Sequence, residues 1–151
     1  MKKTNKGFSM VELIIVIAIM AILAGALAPA LIKYINKSRI STDIQTGQTI
    51  ATAIQTALSN EKAFDAAPTV SAPTDCATAL MSASDFTTEY LSALGSGVSP
   101  SGKAKKDLLG TTMDQKFYVE LNPVTNVIKV YAGATDALHQ VYPEVGKNLS
   151  E

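Results

Sequence analysis

From Leu13 to Ile32 the chain runs for twenty residues without one charged side chain. As a helix such a run has no polar face to offer water, and at about 1.5 Å per residue it extends roughly 30 Å, the thickness of a bilayer's hydrocarbon core. Two readings fit. In one the run is a retained membrane anchor, and Lys2, Lys3 and Lys6 ahead of it keep the N-terminus cytoplasmic and the remainder outside. In the other the same lysines open a secretory signal peptide, with Ala24-Gly25-Ala26 or Ala26-Leu27-Ala28 as the small-residue cleavage site.

Glu12 bears on the choice. A carboxylate toward the bilayer interior costs on the order of 3 kcal/mol, so such a group faces a partner rather than lipid. A disposable signal gains nothing from it. The small residues Ala18, Ala21, Gly25 and Ala28 recur at three- and four-residue spacing, which lines one helix face and admits close packing of another helix. Pro29 removes the backbone bond that its N–H would make to Gly25 and so interrupts the helix locally.

The stretch Lys6-Gly7-Phe8-Ser9-Met10-Val11-Glu12-Leu13 closely resembles the processing motif of type IV prepilins. Ser9 and Met10 stand where Thr-Leu is commoner. The resemblance is strong over about the first 40 residues and beyond them extends only to architecture. It implies a leader, 1–7, removed by a prepilin peptidase that cuts between Gly7 and Phe8 and methylates the new Phe8 amine. It further implies that Glu12 of one subunit neutralises the Phe8 amine of a neighbour during assembly, and that the helix around Gly25 and Pro29 melts in the filament. The expected partners are copies of the chain itself in a helical homopolymer, the peptidase/methylase, an assembly platform in the inner or cytoplasmic membrane, and minor pilins. The expected location is the cytoplasmic membrane first and an extracellular filament afterwards. Such a filament serves adhesion, surface motility or DNA uptake. A pseudopilin of a type II secretion or competence system is the alternative within the resemblance, and a soluble exported binding domain is the alternative outside it.

Past Ile32, Lys33, Lys37 and Arg39 mark the exit from the apolar run. Ile40, Ile44, Gly47, Ala51, Ile54 and Leu58 then fall at helical spacing, with Thr, Gln and Ser on the other face. One helix from about Phe8 to Asn60 is thus expected, about 80 Å long. Its first half, 8–32, is the membrane or filament-core segment, and its second half belongs to a globular head, 33–151. Within that head, 61–74 with Pro68 and Pro73 reads as a connecting loop. Asp75 to Ser82 and Ser84 to Leu94 read as short helices, the second capped by Ser84 and ended by Gly95. The stretch LGSGVSPSGKAKK reads as a flexible loop whose Lys103, Lys105 and Lys106 are solvated. Alternation at Phe117–Leu121, Val127–Ala132 and Leu138–Tyr142 predicts three antiparallel strands. The fold class is therefore α+β: a long N-terminal helix on an antiparallel sheet of three to four strands, four being usual in the family.

The 13 basic side chains balance the 13 acidic ones, so no single-sign field points to nucleic acid, and no specific nucleic-acid site is evident. Cys76 is the only cysteine, which excludes an intramolecular disulfide and with it the C-terminal disulfide loop that the resemblance would suggest. Hydrogen bonds and packing must hold that end, or it is mobile. Ser59-Asn60-Glu61-Lys62 fits a Ser-x-x-Lys pattern without the partner motifs of an acyl-transfer enzyme, and His139 has no Ser or Cys partner. Asp136, Glu144 and Glu151 are too scattered for a calcium loop. No cofactor or metal is expected, and a structural subunit is the class that fits.

Overall fold

The computed structural model describes residues 7–82 and 84–150; the expected leader ahead of Gly7 lies outside the described residues. The fold is α+β. Helix α1 spans Met10–Leu58, followed by α2 (Glu61–Asp65), β1 (Val70–Asp75), α3 (Cys76–Ala79), α4 (Asp85–Leu94), β2 (Phe117–Asn122), β3 (Val127–Ala132), a 3-10 turn (Ala137–His139) and β4 (Gln140–Tyr142). Two compact units divide between Ile35 and Asn36.

The first unit is the apolar half of α1. Every residue of α1 up to Ile35 is exposed, and Pro29 sits inside the helix without ending it.

The second unit has its own core. Along α1 the face bearing Ile40, Gly47, Ile50, Ala51, Ile54 and Ala57 is buried. On the other side threonines, poor helix formers, return their hydroxyls to the carbonyl four residues back at Thr42, Thr46, Thr49, Thr52 and Thr56. The expected stripe is therefore correct, with Ile44 and Leu58 at its half-buried margin. Gly47 is a packing requirement: a Cβ built there would lie 2.2 Å from Val141 Cγ2, so only glycine lets β4 approach the helix.

The sheet is antiparallel with order β1-β2-β3-β4. In β2, Phe117, Val119 and Leu121 point to the core and Tyr118, Glu120 and Asn122 away from it, as the alternation predicts. Strand β1 corrects the expected loop over 61–74. Val70 and Thr74 pair with Leu121 and Val119, and Pro73 is tolerated because β1 is an edge strand, where a missing N–H need not break the ladder. The same stretch also holds α2, nucleated by Asn60, whose Oδ1 accepts from the N–H groups of Lys62 and Ala63. The third predicted strand begins two residues late. Asp136 Oδ1 accepts from Leu138 N and His139 N and bends 137–139 into the 3-10 turn before β4 starts. Ser84 and Gly95 cap and end α4 as expected, Gly95 at φ +68.

The long connection between α4 and β2 is anchored rather than flexible. Asp43, buried on α1, accepts from Lys103 N at 2.7 and 3.0 Å and from Ala104 N at 2.7 Å. Asn36 Nδ2 donates to the carbonyl of Lys106 at 3.1 Å. The C-terminal segment is held in the same way. Asn148 Nδ2 donates to the buried Asp107 carboxylate at 2.8 Å, and Leu108 N donates to the Asn148 carbonyl at 3.0 Å. A Cβ on Gly146 would lie 2.2 Å from the Leu138 carbonyl oxygen, so that turn too requires glycine.

Desolvation pushes the Asp43 carboxyl above its ordinary 3.8, outweighing the N–H groups of Ala104 and Lys103 and the Lys103 charge. A carboxyl raised on folding stabilises fully below its unfolded pKa and loses that contribution as pH rises through the folded one. Urea denaturation at a series of pH values should therefore show wild type losing stability relative to Asp43→Asn as pH climbs from below 3.8 through the raised value. Asp43→Ala at neutral pH should cost about 2 kcal/mol, because two N–H groups lose their acceptor.

Candidate functional site

The residues singled out at the N-terminus lie on one short segment. Gly7, Phe8 and Ser9 precede the helix, and all three are exposed, Phe8 at 92%. The bond between Gly7 and Phe8 thus sits outside regular structure. Helix α1 starts at Met10 because Ser9 and Glu12 close its first turn: Ser9 Oγ accepts from Val11 N at 3.3 Å, and Glu12 Oε2 accepts from Ser9 N at 2.8 Å. This is close to a capping box, except that the N-cap hydroxyl takes the N–H two residues on, at Val11, while the Glu three residues on takes the N–H of the N-cap itself. Glu12 also places its negative charge at the positive end of the helix dipole. One carboxylate oxygen is taken up by the cap. Among the described residues the other accepts no hydrogen bond, and it can accept from an ammonium group.

Behind the cap the helix presents Leu13 to Ile32 with no buried residue, and α1 is long and apolar enough to cross a membrane. Ala18, Ala21, Gly25 and Ala28 are exposed, and a Cβ on Gly25 would meet nothing within 4 Å. Pro29 lies four residues after Gly25 in an unbroken helix, so local melting there is not a feature of the single chain. Gly7, Phe8 and Glu12 fall within six consecutive residues, with the small residues along the helix behind them.

The other titratable and nucleophilic groups have structural roles. Ser59 Oγ donates to the Gln55 carbonyl at 2.9 Å, closing the end of α1. Cys76 is buried, and desolvation pushes its thiol up to about 12, far from a reactive thiolate. His139 is buried between two carboxylates, Nδ1 2.7 Å from Asp136 Oδ1 and Nε2 3.4 Å from Asp107 Oδ2. Sequence reasoning missed Asp43 and Asp107, the acceptors that hold the loop and the tail. The signal for Asp43 was available, since it is a lone carboxylate on the apolar face of an amphipathic helix. No cluster of three metal-ligating side chains occurs among the described residues.

A family model described as the prokaryotic N-terminal methylation motif matches residues 2–28. Two curated proteins of Dichelobacter nodosus, both type IV major fimbrial protein FimA, are 44% identical over 66 and 63 residues, 43% and 41% of this chain. The match spans about two fifths of each relative, 41% and 40%. No solved structure matches. The chain therefore carries the N-terminal methylation motif and resembles type IV fimbrial proteins, the methylation motif itself falling within its first 28 residues.

Removing the cap isolates its contribution. Ser9→Ala should destabilise the first turn by about 1 kcal/mol. Amide exchange in detergent micelles should then be faster at Val11 to Leu13 and unchanged beyond Gly25.

Proposed function

We propose that the chain is the structural subunit of a type IV pilus-like extracellular filament, assembled from the cytoplasmic membrane through its N-terminal helix. The observation that carries this reading is a wholly exposed, uncharged helix half directly behind a capped, accessible Gly7–Phe8 junction. Similarity to fimbrial proteins over the same end supports it. Residues 1–7 are the leader, 8–32 the membrane and filament-core segment, and 33–151 the head. A prepilin peptidase cuts after Gly7 and methylates Phe8.

Assembly then follows from the charges. Cleavage creates an ammonium group on Phe8 in an apolar setting, where an isolated charge is costly. The carboxylate oxygen of Glu12 that the cap leaves available accepts from the amine of a neighbouring copy, so each charge offsets the other. Ala18, Ala21, Gly25 and Ala28 let the helices of neighbouring copies approach. Around Gly25 and Pro29 the helix is free to open in the filament, because Pro29 supplies no N–H to the Gly25 carbonyl.

Intact-mass and N-terminal analysis of exported protein tests the reading. The expected chain begins at N-methylated Phe8. A chain beginning at Pro29 or Ala30 would establish an ordinary signal peptide and remove the filament. A second measurement isolates the charge pair. Glu12→Gln should still be cleaved, yet accumulate in the membrane with few or no surface filaments, since breaking a buried ion pair from one side costs about 3–5 kcal/mol. Normal assembly at equal expression would rule out neutralisation as the role of Glu12.

A further inference from the structure

The head carries a basic strip that the filament reading leaves without a role. From Asn36 onward the chain has nine Lys and Arg against twelve Asp and Glu, so the head is net acidic. Four of those cations nevertheless fall together. Two anchors lay the connection after α4 along α1: Asp43 holds the N–H groups of Lys103 and Ala104, and Asn36 holds the carbonyl of Lys106. The seven-residue step from Asn36 to Asp43 covers about 10 Å of helix, and the three-residue step from Lys103 to Lys106 covers about the same in extended chain. The two segments therefore run side by side in opposite directions. Arg39 lies between the anchors on the helix, and Lys103, Lys105 and Lys106 lie along the loop, all four exposed. The only carboxylates in 33–43 and 99–107 are Asp43 and Asp107, both buried and both engaged by N–H donors. The four cations are thus within about a Debye length of one another, with no exposed carboxylate on either segment.

We infer that this strip binds anionic phospholipid headgroups, seating the head on the outer surface of the membrane before assembly. The inference rests on the reading of 8–32 as the membrane segment. Asn36, at one end of the strip, follows Ile32, the end of the uncharged run, by four residues, so with that run in a bilayer the chain leaves the hydrocarbon just ahead of the strip. Basic side chains at that depth bind acidic lipid, each cation contributing roughly fivefold. Uptake into a filament would then require release from lipid, and membrane charge would set how readily subunits are drawn from the pool.

The full chain reconstituted in vesicles tests this, using a membrane-impermeant acetylating reagent and mass spectrometry of each lysine. On phosphatidylcholine vesicles containing phosphatidylglycerol, Lys103, Lys105 and Lys106 should be acetylated several-fold more slowly than on phosphatidylcholine alone. Lys62, exposed on α2, should react equally on both. High salt should abolish the difference, and soluble glycerophosphate at matched phosphate should not. In the variant Arg39→Gln/Lys105→Gln/Lys106→Gln, Lys103 should react at its phosphatidylcholine rate on both vesicles. Equal rates on the two vesicles for the wild-type chain would overturn the proposal while leaving the anchor intact. Protection that follows protein density rather than lipid charge would also overturn it, assigning the strip instead to an acidic surface of a second copy, such as that bearing Glu61, Asp65, Asp85 and Glu89. Release of the chain from the vesicles by alkaline carbonate would remove the anchor reading itself, and the proposal with it.

Discussion

Between Leu13 and Ile32 twenty uncharged side chains lie on one helix, and the chain buries none of them. Apolar surface of that extent in water is unfavourable by roughly 25 cal/mol for each Å². Among the described residues none covers it, so on the proposed reading the segment is completed by a bilayer or by copies of itself. Two demands follow. The head must be stable without the segment, and the start of the segment must tolerate its polar backbone ends in an apolar setting. The separate core beginning at Ile40 answers the first, and the Ser9–Glu12 cap answers the second by satisfying N–H groups that a bilayer would leave without partners.

The head solves a further problem of its own. With Cys76 as the only cysteine it has no cross-link to fix its long connection or its C-terminal end. Buried carboxylates take that role. Asp43 holds the connection by two backbone N–H groups, and Asp107 accepts from Leu109 N, Thr111 N and the Asn148 side chain. Burying a carboxylate is costly unless its oxygens are hydrogen-bonded, and at both sites they are. The tail that sequence alone left as either held or mobile is held, with Leu149 in the core.

What was legible in the sequence was whatever has a period or a fixed local signature. The helix stripe from Ile40 to Leu58, the cap at Ser84, the stop at Gly95 and the alternation of β2 depend on neighbours a few residues away, and they appear nearly where expected. Strand β1 was hidden because its partner, β2, is more than 40 residues distant, and Pro68 ahead of it and Pro73 within it look like loop. The anchors at Asp43 and Asp107 were hidden for the same reason, since a carboxylate's acceptor role depends on which distant N–H groups the fold delivers. At the candidate site, Gly7, Phe8 and Glu12 form a contiguous motif and could be read directly. The hydrogen bond from Ser9 N to Glu12 follows from the same spacing once the helix start is known, whereas the basic strip required the fold.

The central claim is that Glu12 of one copy meets the Phe8 amine of another inside the filament. Solid-state NMR on filaments mixed from two batches reads that contact, one batch carrying ¹⁵N on the Phe8 amine and the other ¹³C on the Glu12 carboxylate. The account predicts magnetisation transfer between batches at ion-pair distance, about 4 Å or less. Filaments that assemble normally yet show no transfer between batches would contradict it.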